Sequence, residues 1–413
     1  SRHEVCLRAW HRAKPDMSNA TRPSLQDERP PGFRIALYSH DTCGLGHLRR
    51  NLLIARTLRA RMGADVLLIS GIREAGAFPI DDGIDTLLLP ALAKVDNLDY
   101  RPRRLGVDLA RLVAMRSSAV RAALSEFRPH VFIADNVPRG AVGELDETLR
   151  RLRAESTYCV LGLRDVLDAP SNVRREWEQA QNFTAIEELY DRVWIYGDPA
   201  VFDSATEYGL PNSIRSKTTF TGYLDPLWDR PDGRRQVRPT DHPDMCLVGG
   251  GHDGRRVAAA FADACGFADR QGLILAGPFM SESDIHSLDV GPTVTIRRFS
   301  SDPISLYRDA NRIVAMGGYN TVLELISLGK RPLIVPRVAP RLEQLVRAEA
   351  LDRRGLVDVL HPENLTPHRI AQWLQSEERN VNGATPDIDM TGLDTIVTEL
   401  TALQDRTQLA LTG

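Results

Sequence analysis

The sequence predicts an α/β protein of two Rossmann-like domains whose parallel sheets face each other across a cleft. Three observations carry that expectation. Short apolar runs alternate with stretches of helical spacing, the alternation comes in two series, and a segment rich in proline and charge separates them. At 413 residues the chain also exceeds the size at which one core stops growing, so two domains of ordinary size are expected.

The first stretch, 1–31, is polar and interrupted by Pro15, Pro23, Pro30 and Pro31; it reads as a flexible N-terminal extension. The first domain, 32–223, opens with RIALYS (Arg34 to Ser39). A glycine-containing loop follows, and then Leu48, Leu52, Ile54, Ala55 and Leu58 at helical spacing. Strand-like runs recur at ADVLLIS, DTLLLP, HVFIAD, TYCVLGL and RVWIYG, with a helical stretch over Leu105 to Phe127. Runs this apolar suit strands buried on both faces of a parallel sheet.

Between 224 and 243 the periodicity stops at LDPLWDRPDGRRQVRPTDHP, which reads as the interdomain linker. The second domain, 244–413, repeats the pattern. Strands are expected at MCLVGGG, GLILAG, TVTIRRF, RIVAMGG and RPLIVP, and helices over Asn320 to Leu328 and Leu342 to Arg353. Thr366 to Gln375 and Gly392 to Leu403 are weakly helical, with their docking left open.

A net charge of −3 offers no global field for nucleic acid. Five cysteines lack the close spacing of zinc or redox motifs and read as reduced thiols. No run approaches the ~20 apolar residues needed to span a bilayer, so a cytoplasmic protein is expected.

Ligands of open α/β sheets bind beyond the carboxyl ends of the strands. Three loops fall there. In HDTCGLGHLRR, Gly44 and Gly46 allow close backbone approach and His47 projects from the first helical turn, although a tight turn with a partly buried histidine would look the same. Gly249, Gly250 and Gly251 repeat that geometry in the second domain, where bare amides and a helix dipole can meet a diphosphate. Gly317 and Gly318 open a third loop, after which Asn320 or Thr321 can cap a helix. Glu324 follows among Leu323, Leu325 and Ile326, and a carboxylate in apolar surroundings needs a partner. The loops ADNVPRG and GLRDVLDAP end strands of the first domain, which makes Asp135, Arg139, Arg164 and Asp165 acceptor-side candidates, each equally readable as a surface ion pair.

The stretch from Ala315 to Ala348 resembles the sugar-nucleotide-binding segment of the MurG-like GT-B glycosyltransferases and of the plastid galactolipid synthases. It is similar above all to bacterial proteins known as predicted glycosyltransferases, over most of residues 33 to 376. The resemblance implies that Glu324 grips a ribose and that Gln344 contacts the donor sugar. It implies that the Gly249 to Gly251 and Gly317 to Gly318 backbone surrounds the diphosphate, and that Phe299 with Ser300 borders the base. By the same resemblance His47 matches a histidine assigned as base or phosphate contact. The sequence departs from MurG in lacking the proline two residues after that histidine and in placing Glu343 where the first of two glutamines stands. GLGHLRR instead resembles nucleotide-sugar hydrolases of the same fold.

The function this implies is an inverting, metal-independent hexosyl transfer from a nucleotide-diphosphate sugar, with a lean to UDP. The acceptor hydroxyl belongs to an unknown small molecule, lipid-linked compound or glycan. No cofactor is required, and a peripheral membrane contact is left open. His47 would act as base, with Arg337 and Arg341 as further phosphate or donor contacts. A hydrolase or 2-epimerase of the same fold, and a non-catalytic nucleotide-sugar-binding protein, are the alternatives.

Overall fold

A computed structural model of the chain describes residues 32–40, 44–73, 80–94, 100–230, 242–250, 253–277, 279–300, 302–376 and 387–412. The 1–31 extension, most of the 224–243 linker and Gly251 lie outside the described residues.

The first sheet is built from β1 (Arg34–Ser39), β2 (Asp65–Ser70), β3 (Ile84–Leu88), β6 (Val131–Asp135), β7 (Tyr158–Arg164), β8 (Arg192–Tyr196) and β9 (Thr218–Phe220). Their order is β3-β2-β1-β6-β7-β8-β9, all parallel. Between them β4 (Leu92–Lys94) and β5 (Tyr100–Pro102) form a separate antiparallel pair. The second sheet has the order β12-β11-β10-β13-β14-β15 and is also parallel. Its strands are β10 (Asp244–Leu247), β11 (Gly272–Leu275), β12 (Val294–Arg297), β13 (Ile313–Ala315), β14 (Leu333–Ile334) and β15 (Asp358–Val359). The apolar runs behave as their composition requires: Ile35, Ala36, Leu37 and Tyr38 of β1 are wholly buried, as β-rich segments covered by helices on both faces must be.

Three helices line the cleft, α1 (Gly46–Met62), α3 (Tyr319–Ser327) and α4 (Glu343–Asp352), while α2 (Leu109–Phe127, capped by the Asp108 side chain) lies outside its lining. The helices α1 and α3 each follow a strand at which the sheet order reverses, β1 beside β6 and β13 beside β10 and β14, and they pack on each other from opposite domains. Doubly wound sheets leave a crevice at such reversals, so two of these crevices meet here.

Two segments at the expected boundaries pack in a core cluster shared by both domains. The linker begins as core, because Leu224 and Leu227 are buried with Tyr223 and Tyr319 in one cluster joining both domains. The final helix, α5 (Gly392–Thr412), belongs to the first domain's surface although the sequence grouped it with the second. Its apolar face, Leu393, Ile396, Val397 and Leu400, is buried in the cluster that holds Leu52 and Ala55 of α1. Glu399 accepts hydrogen bonds from Trp194 Nε1 (3.0 Å) and Arg192 Nε (2.9 Å).

Candidate functional site

A cavity of about 550 Å³ lies between the two sheets and takes its lining from both domains. That is the size of a small-molecule site. Gly44, Gly46, His47, Gly249, Gly250, Phe299, Ser300, Gly318, Asn320, Glu324, Glu343, Gln344 and Arg164, all singled out from sequence, line it.

On the first-domain wall His47 stands in the first turn of α1 with its Nδ1 2.6 Å from Asp135 Oδ2. Asp135 ends β6, the neighbour of β1, so the sheet reversal itself brings the pair together. A proton on Nδ1 makes this contact a hydrogen bond to Asp135 and leaves Nε2 as the basic nitrogen, while Arg50 Nη2, which can only donate, stands 3.0 Å from the same Nδ1. Asp135 is fully buried, and Arg50 also grips it with Nη2 at 2.6 Å from both oxygens. Burial pushes the Asp135 carboxyl up, but Arg50 and then His47 pull it well below the usual carboxylate range. Asp135, placed on the acceptor side by the sequence, stands behind His47 and Arg50 and outside the cavity lining. It orients His47.

On the second-domain wall Gly277, with φ +79, lets the chain pass where an added Cβ would stand 2.2 Å from Gly249 O. Gly317, with φ +84, turns β13 into α3 where an added Cβ would stand 2.8 Å from Ile334 Cγ2. Gly317 supports the turn from behind, and Gly318 faces the cavity. Gly318 is the N-cap of α3 and no side chain caps the helix, so its first amides stay free. Asn320, expected as the cap, instead donates from Nδ2 to Gly46 O across the cleft (3.0 Å). Glu324 is 4% exposed on this helix. Its Oε1 accepts from Arg49 Nη2 of α1, and its buried Oε2 has no partner among the described residues. Burial raises the Glu324 carboxyl above its ordinary value, against the pull of Arg49. Phe299 remains 60% exposed at the rim.

Glu343 and Gln344 open α4. Gln344 Oε1 accepts from Arg337 N (2.9 Å) and Glu343 Oε1 from Arg337 Nη2 (2.6 Å). Burial would raise Glu343, but Arg164, Arg337 and Arg347 together hold it below its ordinary value. Its Oε2 is buried without a partner.

Three candidates lie elsewhere. Arg139 is tied to Asp146 and to the Ala180 carbonyl (2.9 Å), away from the cavity lining, as a structural ion pair. Asp165 is buried and takes three hydrogen bonds from Arg347, the shortest 2.7 Å, which locks the two domains together. Arg341 is held by Glu176 Oε2 at 2.8 Å and lies 3.5 Å from Asp168, again across the domains. The sequence reading missed Arg49, Arg50 and Arg347. The signal for the last two was present: Arg50 shares a helical face with Ile54 and Leu58, and Arg347 with Ala350 and Leu351, all of them buried.

Among the described residues no group of three or more His, Cys, Asp or Glu side chains is arranged to hold a metal ion, and no helix is long and apolar enough to cross a membrane.

No family model matches the chain, and no curated protein matches it. Solved structures do, and they define the class: the chain has the GT-B fold. Acinetobacter baumannii MurG superposes with a TM-score of 0.52 at 15% identity, covering 83% of this chain and 89% of that one. Phytolacca americana UGT2, solved with UDP-2fluoro-glucose and pterostilbene, gives a TM-score of 0.56 at 12% identity, over 90% and 94% of the two chains. A Listeria monocytogenes protein assigned as a UDP-N-acetylglucosamine 2-epimerase gives 0.60 at 11% identity, over 91% and 97%.

Proposed function

We propose that the chain is a glycosyltransferase that binds a nucleotide-diphosphate sugar, with a UDP-sugar preferred, and transfers the sugar to an acceptor hydroxyl with inversion. One observation carries the reading: a histidine oriented by a buried carboxylate faces, across a single cleft, a buried glutamate with one oxygen left without a partner. A buried unsatisfied carboxylate oxygen costs free energy until a donor reaches it, and a ribose hydroxyl supplies that donor. GT-B neighbours solved with UDP-2fluoro-glucose, with dTDP and with UDP make a nucleotide sugar the natural occupant.

In this reading Glu324 holds the ribose and Phe299 with Ser300 borders the base. The amides of Gly249, Gly250 and Gly318, with the dipole of α3, meet the diphosphate. Gln344 and Glu343 face the sugar. The acceptor oxygen bonds to the anomeric carbon as the bond from that carbon to the diphosphate oxygen breaks, and the electron pair leaves with the diphosphate. The acceptor proton passes to His47 Nε2, while Asp135 stabilises the imidazolium that forms. The positive groups on offer are amides and arginines, so turnover needs no divalent metal. The reaction runs in the cytoplasm, where the buried thiols of Cys159, Cys246 and Cys265 stay reduced.

The 2-epimerase-like neighbour keeps a second reading in view, in which the same donor site serves epimerisation of the sugar. Thermal-shift screening of nucleotide sugars identifies the donor, since a ligand at ~100 times its Kd stabilises by about 2.7 kcal/mol. Analysis of the products by mass and by NMR, which separates epimers of equal mass, then decides: a glycosylated acceptor supports transfer, while free sugar or a C2 epimer in its place overturns it.

A further inference from the structure

The guanidinium groups around the cleft floor are matched to carboxylates with one exception. Asp135 holds Arg50, Asp165 holds Arg347, Glu343 holds Arg337 and Glu324 holds Arg49. Arg164, the last residue of β7, lines the same cleft and makes no hydrogen bond or ion pair among the described residues. Its Nε is closed off from solvent and has no partner. Its charged neighbours are Glu343 and Asp165 on one side of the balance and Arg50 and Arg347 on the other; Asp165 is engaged by Arg347, while Glu343 gives one oxygen to Arg337 and feels the Arg164 charge without a hydrogen bond to it. Burial, reinforced by the two like charges against the pull of Glu343, brings the guanidinium down to about 10, which leaves it cationic at neutral pH.

Arg164 is half-buried with its Nε closed off, and a guanidinium there that makes no hydrogen bond among the described residues is costly until a negatively charged ligand accepts from it. The location says which ligand group. Arg50 and Arg347, the two cations beside Arg164, both stand over the ring of Tyr319, at 5.6 and 5.5 Å. Tyr319 is the first residue of α3, whose free amides and positive dipole end already favour an anion.

We infer that Arg164 is a first-domain contact for the leaving diphosphate, completing from across the cleft an anion site whose other half is the α3 N-terminus. The inference rests on the functional reading above. As the bond from the anomeric carbon to the diphosphate oxygen breaks, that oxygen keeps the electron pair, and Arg164 donates N–H hydrogen bonds to the phosphate oxygens without losing its proton. The planar fork suits two such oxygens at once. This reassigns Arg164 from the acceptor side, where its strand end had placed it, to the donor. It also gives the first domain a direct hold on the nucleotide, so that binding draws the two domains together.

The test titrates the full chain, wild type and Arg164→Gln, with UDP, dTDP and GDP and with the matching nucleosides. Arg164→Gln is expected to weaken the preferred diphosphate at least tenfold while leaving its nucleoside unchanged. Arg164→Lys keeps the charge without the fork and should fall between the two. Diphosphate affinity equal to wild type in a folded Arg164→Gln protein overturns the inference and leaves the functional reading standing. Equal weakening of nucleoside and diphosphate, with a lower melting temperature, also overturns it, since that is the mark of a structural role. A wild-type chain that takes up none of the three diphosphates defeats the functional reading, and this inference with it.

Discussion

Replacing Glu324 by glutamine separates a binding role from a structural one, because the two predict opposite signs. The side chain keeps its shape but loses its charge, in a site where burial holds the carboxyl above its ordinary value. A carboxyl raised on folding contributes stability that is complete below the unfolded pKa of ~4.3 and lost as pH rises through the folded one. At neutral pH the charged Glu324 therefore burdens the fold, and Arg49, itself 31% exposed, offsets only part of that. Glu324→Gln should leave the melting temperature unchanged or higher. Nucleotide affinity should move the other way, because a hydrogen bond to a charged acceptor contributes roughly 1.5 to 3 kcal/mol and its loss weakens binding about 10- to 100-fold. Wild-type affinity should likewise decline as acidification protonates Glu324, beginning at a higher pH than for an ordinary glutamate. Calorimetry at neutral pH and a thermal melt on the same preparation give both numbers. Unchanged affinity, or a loss of affinity that simply follows a loss of stability, refutes the assignment.

Other outcomes follow from the same geometry. His47→Ala should lower kcat by ~100- to 10,000-fold with little change in donor affinity; weaker binding alongside rate would make it a phosphate contact, and unchanged turnover would end its case as base. Asp135→Asn strips Arg50 of its counter-ion and lets His47 present the wrong nitrogen, so both stability and turnover should fall; turnover near wild type in the folded fraction contradicts its orienting role. Asp165→Ala leaves Arg347 buried and unpaired, at a cost of about 3–5 kcal/mol seen in denaturant unfolding, and a cost under 1 kcal/mol would show that the domains do not depend on this pair. Activity should survive chelation by EDTA; complete loss restored by magnesium or manganese would mean that amides and arginines do not suffice.

What could be read from the sequence, and what could not, divides by the distance over which each feature is encoded. Strands such as β1 and β6 announce themselves in a few consecutive apolar residues, and glycine turns at strand ends are local too, so the cleft-lining loops were placed before any coordinates. Glu324 was legible as a carboxylate that must find a partner, because its apolar neighbours are adjacent in the chain. The partner was not: Arg49 is 275 residues away and belongs to the other domain. Asp165 and Arg347, 182 residues apart, share that fate, and each alone looks like a candidate for the cleft or the surface. Gly251 and the 1–31 extension lie outside the described residues and add nothing to either side.

Of the polar residues offered as site candidates, Asp165 and Arg341 are held across the domains by Arg347 and Glu176, and Asp135 and Arg139 within the first domain by Arg50 and Asp146. A residue at the carboxyl end of a parallel strand is near the ligand crevice, but the crevice needs few side chains to touch the ligand and many to hold those few in place. Where the side chain is wholly buried, as with Asp135 and Asp165, it cannot reach a bound molecule, and its charge is spent orienting His47 or fixing Arg347. Glu324 and Glu343, each 4% exposed, line the cavity, and each keeps one oxygen without a partner among the described residues. What sets these residues apart is an unmet hydrogen-bonding atom on a side chain that also lines the cavity, a property of placement in space that no single segment of sequence records. By that criterion Arg164 stands with Glu324 and Glu343.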